Sequence, residues 1–474
     1  MIKSGETIFL PDLVYTGGRF RRGLALVCDD AGRIMRLARA GEIAGRVIRL
    51  NGRALLPGLV NAHSHAFQRV IRGRTEHRTG QASDTFWTWR EMMYSAATRL
   101  TPEDMYDASR MAFLEMALAG ITSVGEFHYV HRAPDGAPYD DPNLMAKEVV
   151  RAARDVGLRI ALLRVAYARS GYRKEPNPRQ ARFIESKPED YLQNVEKLKA
   201  DLARTEDAPQ RAWVGVAPHS VRAVPLDYLR EVIRYGNQRA MPVHMHVAEQ
   251  PAEIAACMEE HRRTPVRLLA DEALLSARFT GVHGIHLTPE EVQCLARARA
   301  MICACPTTER NLGDGIVPAD ALMEAGVRLS LGTDSHTQID LLEDARELEY
   351  HLRLARLERN VLAAEANASS ESDMAALAAR LFTCATLSGA QSIGAPGGEL
   401  EPGRTADFFT VDLDDPSIAG ASTDDLLACL VFSLARTAVR EVYIGGRAVI
   451  EDGRQRAQTE IVEKFNALQS RLWG

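Results

Sequence analysis

LPGLVNAHSHAFQR, Leu56–Arg69, is an apolar run that ends in two histidines. Pro57 and Gly58 mark a bend, and the residues after them read as a buried strand. His63 and His65 are two apart, so an extended chain points both imidazoles to one side. The same texture recurs along the chain. Apolar segments beginning at Ile121, Arg159, Trp213, Met241, Phe279, Ala300 and Val327 alternate with amphipathic stretches. One of these, TPEDMYDASRMAFLEMALAG, has Thr101 as a cap, Pro102 at the first helical position and Gly120 as its end. Strand alternating with helix implies a parallel sheet, and eight such strands suit a (β/α)8 TIM-type barrel. The fold class is therefore α/β.

The ends of the chain differ from this middle. Residues 7–56 and the segments GELEPGRTADFFTVDLD and VREVYIGGRAVIEDGR read as strands around Gly-Gly and Asp-Gly turns. The expected organisation is a small β-sandwich built from residues 1–56 and 391–474, with a C-terminal helix. It flanks a catalytic barrel over residues 57–390.

Of the 13 histidines, all but His77, His261 and His351 fall just at or after a candidate strand. A parallel barrel puts its chemistry at those strand ends. A lone histidine there is usually structural, but this convergence is not explained that way. Neutral imidazole is a common ligand of zinc and iron, and a carboxylate completes such a set. His63, His65, His246 and Asp334 form the expected metal cage. His244 shares a strand face with His246 but lies deeper. Glu249, three residues past His246, is placed as a proton carrier beside the metal.

Bulk numbers exclude other classes. The net charge is −5 with no basic block, so neither nucleic acid nor an anionic membrane is an expected partner. No apolar run reaches the roughly 18–20 residues that span a bilayer. The 7 cysteines are scattered and read as reduced thiols of a cytoplasmic protein.

The motifs HSH (63–65), HVAE (246–249), His283 and TDSH (333–336) resemble the amidohydrolase superfamily, in its mononuclear deaminase branch. The fourth barrel strand ends in APHS without the lysine that carries a second metal in dinuclear members. NAHSHAFQR, FWTWREMMY, TSVGEFHYVHR, PHSVRAV, HVAEQ, CPTTERNLGDGI and TDSH resemble the formimidoylglutamate deiminases. That resemblance implies a homodimer with one divalent metal ion, Zn2+ or Fe2+, removing ammonia from N-formimidoyl-L-glutamate in histidine degradation. It implies Glu249, His283 and Asp334 as catalytic groups. It implies Gln68, Arg90, Tyr129, His219 and Arg222 as contacts for a small dicarboxylate, since arginine offers a bidentate fork. His336 is expected to orient Asp334. Arg310 departs from the family pattern, and the substrate would differ if it pointed into the barrel mouth. The competing readings are a deaminase of a purine or guanidino compound and a metal-free scaffold; a scaffold would have lost ligands.

Overall fold

A computed structural model describes residues 6–42, 45–81, 83–204, 211–363 and 375–474. Strands β1 (Thr7–Thr16), β2 (Arg19–Arg22), β3 (Leu24–Cys28), β4 (Ile34–Arg39) and β5 (Arg46–Pro57) come first. The barrel strands follow: β6 (Leu59–Ser64), β7 (Ile121–His128), β8 (Arg159–Ala166), β9 (Ala212–Pro218), β10 (Val243–Val247), β11 (Phe279–His283), β12 (Met301–Ala304) and β13 (Arg328–Leu331). Last come β14 (Phe408–Asp412), β15 (Val439–Ile444) and β16 (Arg447–Ile450).

β6 to β13 pair in chain order as one 8-stranded parallel sheet. Most of these strands are buried along their whole length, as strands covered on both faces must be. The first and last strands meet through the segments that carry the expected metal ligands. Asp334 N–H donates to His63 O and His65 N–H donates to Asp334 O, each at 3.1 Å. Gly332 permits this closure: a Cβ there would lie 2.7 Å from the His63 Cβ.

The terminal strands bond as one mixed sheet, in the order β16-β15-β14-β5-β1-β3-β4, with β2 also on β1. All its pairs are antiparallel except β1 with β5. It carries its own small core, with Phe9, Phe408 and Tyr443 in mutual ring contact. β5 then passes through Pro57 and Gly58 directly into β6, as the bend in the sequence anticipates.

Two helices lie between β6 and β7. α1 (Phe86–Ala97) starts on a capping box between Thr85 and Thr88. α2 (Pro102–Leu118) starts on the reciprocal pair Thr101 and Asp104, with Pro102 in its first turn. The C-terminal helix Gln458–Trp473 lies on α2, fastened by Arg110 to Glu460 and Arg471 to Asp104. It thus supports the barrel although it follows the terminal strands. Among the described residues no helix is long and apolar enough to cross a membrane. All 7 cysteines are free thiols.

Candidate active site

His63 and His65 leave the end of β6, His246 the end of β10, and Asp334 the turn after β13. Their ligand atoms lie within 4.8 Å of one another, and all four residues are buried. His63 Nε2 is 3.2 Å from both His65 Nε2 and His246 Nε2. Asp334 Oδ1 is 3.4 Å from His63 Nε2 and 3.3 Å from His65 Nε2. A tetrahedral zinc site with bonds near 2 Å has donor–donor edges of about 3.3 Å, so the spacing fits an ion.

The outer ring nitrogens agree. His65 Nδ1 donates to Phe127 O at 2.9 Å and His246 Nδ1 donates to His219 O at 3.1 Å. Those bonds fix the tautomer and leave the Nε2 lone pairs facing inward. Burial lowers the pKa of all three imidazoles, His63 to about 3, and a neutral ring is the ligand form. Lone pairs converging without protons between them repel unless a cation sits there. The residues therefore fit a divalent metal. His244, by contrast, donates through Nε2 to Ser392 O at 3.0 Å and takes no part in the cage.

Glu249 and His283 stand beside this cage. His283 Nε2 is 3.5 Å from Glu249 Oε1 and 3.9 Å from Asp334 Oδ2. Burial alone would lower the His283 pKa; the carboxylates of Glu249, Glu309 and Asp334 more than reverse this and raise it well above the usual histidine range. Burial raises Glu249, with Asp334 adding to the effect and His283 opposing it. A carboxyl with a raised pKa beside a histidine with a raised pKa is suited to acid–base work.

The cavity over the cage is lined by His65, Gln68, Arg90, Tyr129, His219, Arg222, His246, Glu249, His283 and Asp334. α1 delivers Arg90, Met93 and Tyr94 from one face, at the three- and four-residue spacing of a helix. Arg90 lies over the Trp87 ring at 4.3 Å. Its Nε and the Nη1 of Arg222 are buried without a hydrogen-bond partner. Among the described residues no carboxylate forms an ion pair with either arginine, although elsewhere arginine is paired repeatedly. Gln68 Nε2 donates to Tyr129 Oη at 2.9 Å, while Gln68 Oε1 is buried and unpartnered. His219 meets the Tyr167 ring edge to face and bonds Ser220 Oγ through Nδ1 at 3.1 Å.

One expectation changes, and one open condition is answered. His336 does not contact the Asp334 carboxylate. Its ring joins Ser64 Oγ and Thr333 Oγ1, each at 3.0 Å, so it braces the loops that carry the ligands. Asp334 and His336 both have positive φ, 42° and 60°, which breaks the strand alternation that a two-residue spacing assumes. Arg310 turns outward to Glu347 at 2.5 Å and does not line the cavity. His131 donates to Val165 O at 2.9 Å and is likewise outside.

Some lining residues escaped the sequence reading. Tyr94, Tyr167, Phe183 and Leu312 reach the mouth from loops and helices whose approach no local pattern predicts. Trp89 also lines it. Glu309 lies behind His283, and its place in CPTTER between the seventh strand and a helix was the one available signal.

The amidohydrolase family model matches residues 54–449. The chain belongs to the amidohydrolase family. A formimidoylglutamate deiminase of Pseudomonas aeruginosa is 38% identical over 87% of this chain and 88% of its own length. A 5-methylthioadenosine/S-adenosylhomocysteine deaminase of Haloquadratum walsbyi is 28% identical over 86% of this chain and 81% of its own. The crystal structure of an amidohydrolase from Brucella melitensis superposes with a TM-score of 0.88 at 34% identity, covering 99% of this chain and 100% of that one. An adenosine deaminase from Xanthomonas campestris, solved with bound zinc, shares the fold at a TM-score of 0.80 and 21% identity, with 98% of each chain covered. This amidohydrolase is accordingly a hydrolase with a cage that could hold a metal, directed at C–N bonds.

Proposed function

We propose that this amidohydrolase hydrolyses N-formimidoyl-L-glutamate to N-formyl-L-glutamate and ammonia, in histidine degradation. The observation that carries the reading is the pair of unpaired arginines, Arg90 and Arg222, in the wall beside the cage. A buried cation without a partner is costly, and a ligand carboxylate relieves that cost. The substrate has two carboxylates and a formimidoyl carbon at its other end. A neutral purine ring offers the arginines nothing comparable.

His63, His65, His246 and Asp334 would hold one divalent ion, which we assign as Zn2+. When bound it supplies Lewis acidity that brings the pKa of water toward roughly 7. The protein's own groups do the rest. Asp334 accepts a proton from the attacking water, and His283 Nε2 donates a hydrogen bond to the incoming oxygen. Oxygen adds to the formimidoyl carbon, making it tetrahedral. Glu249 protonates the terminal nitrogen as oxygen adds, and the proton held by Asp334 then makes it an ammonium leaving group. The new hydroxyl returns its proton to Glu249 as C=O forms, the C–N bond breaks and ammonia leaves. Arg90 and Arg222 hold the carboxylates, with Gln68, Tyr129 and His219 filling the remaining polar positions. The protein is taken to work as a cytoplasmic homodimer.

Ammonia release by zinc-loaded protein tests the reading directly. Turnover of N-formimidoyl-L-glutamate, with none of 5-methylthioadenosine, is expected. A fully metallated protein that leaves N-formimidoyl-L-glutamate intact would overturn it.

A further inference from the structure

Of the proposed acid–base group, only Asp334 would be held by a metal, so His283 needs another support. It ends β11 in a left-handed backbone conformation, φ 74°, which a non-glycine residue seldom adopts. Nothing in its own strand fixes the ring. The nitrogen facing the site, Nε2, sits 3.5 Å from Glu249 and 3.9 Å from Asp334, so a modest ring rotation would take it out of reach.

The other nitrogen meets Glu309. His283 Nδ1 donates to Glu309 Oε1 at 3.2 Å. The same oxygen accepts the Cys305 backbone N–H at 2.8 Å. That second bond ties the carboxylate to the turn joining β12 to the helix Pro306–Leu312. Both residues are 1% exposed, so water does not compete. The next residue, Arg310, is spent on Glu347 at the surface and leaves Glu309 to His283.

From this geometry we infer that Glu309 is the positioning residue of the site: it holds His283 with Nδ1 protonated and Nε2 aimed at the space between Glu249 and Asp334. It does not touch the substrate, and acts only through the imidazole. The arrangement follows the general logic in which a buried carboxylate orients a working histidine and stabilises its imidazolium, whose Nε2–H then remains free to donate. The inference rests on the function proposed above for its kinetic consequence, and on the structure alone for the bond itself.

Two measurements separate these. In the first, kinetics on zinc-loaded protein compare parent, E309A, E309Q, H283A and the double variant H283A/E309A. E309A is expected to lose about 10²-fold in kcat, with KM and metal content nearly unchanged. E309Q keeps an acceptor for Nδ1–H and should recover part of that loss. The double variant should be no slower than H283A, because the two residues act as a unit. Losses that multiply in the double variant, or an E309A protein with parental kcat, would overturn the inference. In the second, proton NMR of 15N-histidine-labelled protein should show a downfield ring N–H resonance in the parent. It should be absent from both H283A and E309A. Its persistence in E309A would refute the bond whatever the substrate proves to be. If the parent does not turn over N-formimidoyl-L-glutamate, the proposed function fails while the resonance still decides the role of Glu309.

Discussion

Arg164 and Arg222 stand at the ends of adjacent strands of the same barrel and have opposite circumstances. Arg164, on β8, is fully buried and fully answered: its Nη1 and Nη2 reach Glu185 at 2.5 and 2.9 Å, and its Nε reaches Asn143 at 2.8 Å. Arg222, just past β9, has an enclosed Nη1 with no partner. The first arrangement is complete and needs nothing from outside. On the function proposed, a substrate carboxylate completes the second. Arg164 is fully buried and Arg222 only partly so, but it is the count of satisfied donors that separates a framework arginine from one proposed to bind.

The largest consequence of this contrast is for stability. Arg164→Met strands Glu185 in the interior and should cost about 3–5 kcal/mol in urea unfolding, with metal content preserved in the folded fraction. An unchanged midpoint would mean that the pair is not holding the fold. The acid limb follows next. Burial by itself would raise the Glu185 pKa, but Arg164 and the hydrogen bonds it shares with Asn194 hold it at about 2 against 4.5. A depressed carboxylate stabilises above its unfolded pKa, so this contribution is full above pH 4.5 and disappears as pH falls toward 2. It amounts to on the order of 3 kcal/mol. Glu185→Gln should flatten that stretch of the stability curve; an identical acid limb would remove Glu185 from the account.

Arg222→Met should do the reverse of Arg164→Met. Its melting temperature should equal or exceed the parent's, because an unpaired buried charge is gone, while kcat/KM on the dicarboxylate falls roughly 10²-fold. Loss of stability without loss of binding would exchange the roles of the two arginines. The smallest effect belongs to Arg310→Ala. Its bond to Glu347 is at the surface, so stability should change by less than about 1 kcal/mol and kcat/KM not at all. A changed substrate preference would bring Arg310 into the mouth.

The same contrast explains what the chain disclosed before it was folded. His63, His65 and His246 were legible because a strand has period two and ends at the mouth, so local spacing carries three-dimensional meaning. The eight apolar runs were legible for a similar reason: a strand buried on both faces needs apolar side chains throughout. Asp334 was readable, but the role of His336 was not, since two positive φ values redirect the turn between them. Glu309, Tyr94, Tyr167 and Phe183 come from separate loops and helices, and their convergence depends on closing the barrel. The terminal strands were visible individually. Their bonding as one mixed sheet depends on long-range pairings: β1 with β5, Thr7 opposite Arg46, and β5 with β14, Pro57 opposite Phe408.

The central claim is that Arg90 and Arg222 wait for a dicarboxylate. The most direct measurement compares kcat/KM for N-formimidoyl-L-glutamate with that for N-formimidoyl-L-glutamine, which differs only in a neutral distal amide. A preference of about 10²-fold for the glutamate compound, largely lost in Arg222→Met, is the predicted result. Equal kcat/KM for the two compounds in the parent protein would contradict it.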